Sequence, residues 1–110
     1  MTVNCLLGND KFASLCLPNP EKEIKGVYAG DLLSWVMGHA NEGECLITIM
    51  SNVNVLAVAS LLDLSCVILA ENVEPDEEFL NLANEKGINV LKTAQSTYGA
   101  CVLLHEELKK

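Results

Sequence analysis

Four short runs rich in β-branched residues recur along the chain: Val27-Tyr28-Ala29, Leu46 to Ile49, Cys66 to Leu69 and Asn89 to Lys92. Their centres lie about 20 to 23 residues apart. The intervening stretches carry helical periodicity. In "DLLSWVMGHA", Leu32, Leu33, Val36 and Met37 fall on one face. "VNVLAVASLLDL" is apolar on most faces, which places it between layers or against another chain. "PDEEFLNLANEKG" turns Phe79, Leu80, Leu82 and Ala83 inward and its acids outward. "STYGACVLLHEELKK" predicts a final helix. Strands that are apolar throughout, rather than alternating, are buried on both faces. The rhythm therefore predicts an α/β fold: a three-layer α/β/α sandwich around a mostly parallel sheet with right-handed crossovers.

Boundary chemistry supports the same elements. Asp31, Asn52 or Ser51, Asp76 after Pro75, and Ser96 are suited to cap helix starts. Gly43 and Gly87 follow helices, where a left-handed residue is wanted. The first 25 residues admit two readings. One is a hairpin turning at Gly8-Asn9-Asp10; the other is a short helix capped by Thr2, followed by a strand in "KFASLCL". Pro18 to Glu23 is a surface loop in either case. At 110 residues, with no linker-like stretch, residues 1–110 form a single domain.

Charge narrows the partners. Fifteen acidic residues against seven lysines give a net charge of −8, which opposes nucleic acid. Glu71, Glu74, Asp76, Glu77 and Glu78 cluster, and they read as a solvated loop with acids at a helix N-terminus. No apolar run reaches the roughly 20 residues that span a bilayer, and "MTVNCLLGNDKF" lacks the basic and apolar segments of a secretory signal. A cytoplasmic protein with no membrane contact is expected. Five cysteines, Cys5, Cys16, Cys45, Cys66 and Cys101, form no CxxC pair, so neither a disulfide framework nor a metal site is expected. Cys45 and Cys66 fit small buried hydrophobes.

Catalytic patterns are missing. There is no phosphate loop, no G-x-G-x-x-G and no arginine, and no serine carries a nucleophile pattern. His39 and His105 each stand alone near a helix C-terminus, in surface or capping roles. Neither an enzyme nor a cofactor is expected. Binding is more open, because ligands of open parallel sheets sit beyond the carboxyl ends of the strands. The loop Met50 to Asn54 offers backbone N–H groups, a hydroxyl and two amides at a helix start. Candidate ligand residues are Asp31, Thr48, Ser51, Asn52, Asn54, Thr93 and Ser96; capping is the competing role for this loop. Trp35, beside Met37, fits the core first and a partner surface second.

From "GVYAGDLLSWVMGHANEGECLITIMSNVNVLAVASLLDLSCVIL" onward the chain resembles the DRTGG domain family. The shared features are a Gly–Tyr stretch leading to "DLLSxVM", then "ITI", a helix like "NxxAVA", an apolar strand and "EPDE". The resemblance spans roughly residues 20 to 95. The family is similar to the N-terminal domain of HPr kinase/phosphorylase, which implies the same three-layer fold. The name-giving region should fall near Glu21 to Val27, where this chain reads "EKEIKGV". Gly26 keeps a glycine, Lys22 stands near an expected arginine, and Val27 replaces a glycine. The kinase's phosphate loop has no counterpart. Such domains are typically appended to enzymes or to CBS pairs, as in certain pyrophosphatases and phosphate acetyltransferases. The resemblance thus implies a non-catalytic regulatory or interaction module, expected as a homodimer with a partner enzyme or subunit. The alternative is a sensor binding an anionic metabolite or adenine nucleotide at residues 50–54.

Overall fold

A computed structural model describes residues 1–110. The elements in chain order are α1 (Val3–Leu6), β1 (Ala13–Cys16), β2 (Gly26–Ala29), α2 (Leu33–His39) and β3 (Glu44–Thr48). They continue with α3 (Val53–Leu62), β4 (Cys66–Leu69), α4 (Glu77–Lys86), β5 (Val90–Lys92) and α5 (Thr97–Lys109). The sheet order is β1-β5-β4-β3-β2. Strands β2 to β5 pair in parallel, and β1 joins β5 antiparallel. This is the predicted α/β/α sandwich. At the N-terminus the helix-then-strand reading holds: the Thr2 hydroxyl accepts from the Cys5 N–H at 3.1 Å.

Alternation along each strand divides the core between two layers. Leu46, Val67, Leu69 and Val90 pack under α2, α3 and α4. Cys45, Ile47, Cys66, Ile68 and Leu91 face α1 and α5 on the other side. Residues on both faces of β3 and β4 are fully buried, which is why these strands carry no polar alternation. Each fully buried Val, Leu or Ile contributes about 1.5–3 kcal/mol of transfer free energy. No helix is long and apolar enough to cross a membrane.

The predicted caps form at three helices. Asn52 accepts from the Asn54 N–H, Asp76 from Phe79 and Ser96 from Gly99. Gly87 closes α4 in the left-handed conformation, whereas α3 ends on Asp63 in that conformation. Gly43 also has positive φ but lies beyond the extended cap of α2 at Ala40. There an added Cβ would come within 2.5 Å of Lys25 Cδ, so only glycine fits.

Two expectations fail at α2. Asp31 is not its cap; Leu32 occupies that position with no side-chain bond. Trp35 is not in the core but 57% exposed, and Leu32 and Met37 are exposed too. The helix is seven residues long and has α3 as its helical neighbour, and it buries only Val36. Trp35 instead stacks on His39, centroids 3.9 Å apart, and His39 Nδ1–H donates to the Trp35 carbonyl at 2.8 Å. The histidine thereby satisfies a carbonyl near the helix end, as expected of a cation-tolerant position.

The region where the family name-giving motif should fall lies at the amino-terminal end of β2. Residues 22–24 pair with residues 1–3: Val3 N–H donates to Lys22 O and Ile24 N–H to Met1 O. Lys22 also pairs with Asp63. These contacts tie the chain start to the sheet at the end opposite the 50–54 loop.

Candidate functional site

All seven sequence-nominated residues lie along the carboxyl edge of the sheet, but they do not converge on one point. Asp31, just beyond β2, reaches across to the loop after β3. One carboxylate oxygen accepts from the Thr48 hydroxyl at 2.8 Å and from the Ile49 N–H at 2.9 Å. Thr48 is fully buried and its oxygen accepts in turn from Met50 N–H at 3.1 Å. This closed chain explains why Asp31 does not cap its own helix. The donors it satisfies belong to the neighbouring strand end.

At the other end of the edge, buried Thr93 accepts from Gln95 N–H at 3.2 Å. Glu71 N–H donates to Gln95 O and Asn72 N–H to Thr93 O, joining the loops after β4 and β5. Glu71 and Asn72 both adopt positive φ to make these bonds. Asn52 and Ser96 are occupied as caps. Only the half-buried Ser51 hydroxyl and the exposed Asn54 amide have no hydrogen-bond partner in the protein.

The acids nearby are engaged or solvated. Glu74 pairs with Lys92, Asp76 caps α4, and Glu77 and Glu78 sit in the first turn of that helix, where the dipole favours them. Topology matters more for a ligand. A crevice opens in a parallel sheet where strand order reverses. Here β2, β3, β4 and β5 follow one another in a single direction, and α2, α3 and α4 all lie on one face. The sheet has no such reversal.

Two concave surfaces are present, and one of them reaches the candidate loop at Val53. One groove of about 630 Å³ runs between α3 and α4, lined by Val53, Glu77, Glu78, Asn81, Leu82 and Glu85. A second, of about 510 Å³, lies where α5 meets β2, lined by Val27, Ala29, Cys101, His105 and Leu108. Sequence patterning flagged the unbroken apolar character of α3, but it gave no signal for either groove.

The thiols are quiet. Cys45 and Cys66 are register partners on β3 and β4, both fully buried. A hydrogen bond to Cys66, then burial, pushes the Cys45 thiol well above its ordinary value. Burial also raises Cys16 and Cys101. No group of three or more His, Cys, Asp or Glu side chains is arranged to hold a metal ion.

Together these features define a three-layer α/β/α module whose carboxyl edge is tied off by its own hydrogen bonds. A family model, the DRTGG domain, matches residues 22–106, and the chain belongs to that family. Among solved structures it is similar to the CBS and DRTGG domains of the regulatory region of Clostridium perfringens pyrophosphatase, complexed with the activator diadenosine tetraphosphate. The identity is 18% and the TM-score 0.73, over 94% of this chain and 45% of that one. This chain thus spans less than half the length of that relative. Comparison with curated proteins finds no match.

Proposed function

We propose that this chain is a non-catalytic regulatory module that acts through protein contacts, as a homodimer working beside a partner enzyme or subunit in the cytoplasm. One observation carries the reading: large apolar side chains, Leu32, Trp35 and Leu61 among them, stand in solvent on the helices. Family membership and the regulatory setting of the similar pyrophosphatase region agree with it.

The two sheet edges support the homodimer. Proteins guard open edges with bulges, prolines and charges. The β1 edge has a register shift between Ser14 and Cys16 and Pro18 just beyond. The β2 edge, Gly26-Val27-Tyr28-Ala29, has no charge and no proline, and the pairing with residues 1–3 ends at Ile24. A two-fold axis would set this strand antiparallel to its own copy. Sedimentation at tens of micromolar should show a dimer that Ala29→Lys converts to monomer. A monomeric wild type would remove the homodimer from the proposal.

A second reading is a ligand sensor at Ser51 and Asn54, whose polar groups are free at the N-terminus of α3. A thermal-shift screen against adenine nucleotides, phosphorylated metabolites and carboxylates separates the two. A ligand at a hundred times its dissociation constant adds about 2.7 kcal/mol. The contact-module reading expects a flat screen. A hit abolished by Ser51→Ala with Asn54→Ala replaces it with the sensor.

A further inference from the structure

Helices α3 and α4 have equal length and adjacent places in one layer, yet opposite outer faces. α4 shows solvent Glu77, Glu78, Asn81, Asn84 and Glu85, as a surface helix should. α3 contains no charged residue. After Val55, Leu56, Val58 and Ala59 are buried, its exposed residues are Val53, Asn54, Ala57, Ser60 and Leu61, and Val53, Ala57 and Leu61 form an apolar stripe spaced four residues apart. Leu61 is 74% exposed. Leaving such a stripe in water forgoes burial free energy that a partner would recover.

The stripe meets a groove at Val53, its one residue in the lining, and the rest of that lining specifies the partner's chemistry. Its far wall is one face of α4, on which Glu78, Asn81, Leu82 and Glu85 follow at helical spacing, with Glu77 at the mouth. None of Glu77, Glu78 and Glu85 is in an ion pair; Lys22, Lys25, Lys92 and Lys110 are paired elsewhere, and Lys86, exposed on the same helix, is in no ion pair. The groove's carboxylates are thus left open to cations of an occupant. A second copy of this chain is a poor fit. A two-fold contact here would set the same free carboxylates against each other in a molecule of net charge −8.

We propose that the α3–α4 groove docks a basic amphipathic helix of a partner protein. Apolar residues one turn apart lie on Val53, Ala57 and Leu61, and flanking Lys or Arg side chains reach Glu78 and Glu85. The inference rests on the contact-module reading and names the kind of partner; a flat ligand screen leaves it unaffected.

The test uses the whole chain and a fluorescein-labelled Leu/Lys peptide about four turns long with one apolar face. Fluorescence anisotropy follows its binding beside an isomer of the same composition, shuffled to have no apolar face. The expected result is saturable binding of the amphipathic peptide, at least about tenfold tighter than the shuffled one, and weaker at high salt. Glu78→Lys with Glu85→Lys should weaken it roughly tenfold or more. Leu61→Ser should also weaken it. Both changes are at exposed positions, and unchanged melting would show that each variant is folded. Equal binding of the two peptides, indifference to the charge reversal, or no binding would overturn the proposal. So would a wild-type dimer that Leu61→Asp dissociates, since the groove would then belong to a second copy.

Discussion

Asn89 gives the sharpest test of how this fold is held. It is 1% exposed, just before β5, and its amide is fully used. Oδ1 accepts from the Asn19 N–H at 2.9 Å, and Nδ2 donates to the carbonyls of Asn19 at 2.7 Å and Ser65 at 3.1 Å. One side chain thus fastens the Pro18–Glu23 loop to the ends of β4 and β5. A net contribution of about 0.5–1.5 kcal/mol per hydrogen bond puts the three together at roughly 1.5–4.5 kcal/mol. Asn19 is exposed, so water can recover part of what it loses, whereas Ser65 is itself buried. Asn89→Ala should therefore cost about 2–4 kcal/mol and lower Tm by roughly 10–20 °C. Asn89→Asp keeps the Oδ1 acceptor but points a carboxylate oxygen at two carbonyls, so at pH 7 it should cost at least as much. Burial and those carbonyls raise the folded-state pKa of the new acid above the ordinary value of about 3.9. Its folded state then binds the extra proton first. Stability of this variant should rise as pH falls through that raised pKa, and the gain should be complete below the unfolded value. Urea denaturation followed by far-UV circular dichroism measures both, because exposed Trp35 is a poor reporter of the core. An Asn89→Ala loss below about 1 kcal/mol would refute the clamp. An Asn89→Asp deficit that stays constant between pH 7 and 4.5 would refute the charge argument.

Other consequences are simpler to read. Gly38 lies inside α2 with open space around a built Cβ, so Gly38→Ala should stabilise the protein by about 0.5–1 kcal/mol, measured as a raised urea midpoint. The Ser65 hydroxyl is buried without a partner, so Ser65→Ala should be neutral or stabilising by up to about 1 kcal/mol in the same assay. In native protein a thiol reagent should modify exposed Cys5 first, Cys16 and Cys101 more slowly, and Cys45 and Cys66 only after denaturation. The raised Cys45 thiol also sets a pH trend. Its contribution is complete below the unfolded thiol value and is lost as pH rises above it, where the unfolded chain ionises and the folded core resists. Equilibrium unfolding between pH 7.5 and 10 should show stability falling at the alkaline end.

What was legible in the sequence depended on range. The caps at Asn52, Asp76 and Ser96 act within three residues, and local pattern found all three. The buried strands showed themselves by continuous apolar runs, because both faces of the sheet are covered. Local pattern makes Asp31 look like a cap, because its true partners, Thr48 and Ile49, are 17 and 18 residues away. Trp35 departs from the core for a related reason. Periodicity says which residues share a face, but not whether a helix has neighbours on both sides, and α2 has a helical neighbour, α3, on one side only. The Asn89 clamp spans 70 residues and gave no local signal. At the candidate edge, the residue types were readable from sequence, but the internal bonds that occupy them were not.

The position of β1 has a consequence for assembly. Strands β2 to β5 pair in the order in which the ribosome delivers them, each crossover closing on a neighbour already made. β1 is synthesised before all of them, yet its partner is β5, and Ala13 faces Lys92, 79 positions further along the chain. During synthesis the first strand must wait, unpaired, until the last one emerges. The edge that carries its own bulge and proline is therefore also the edge exposed longest to other nascent chains, which is where protection against wrong pairing is most needed.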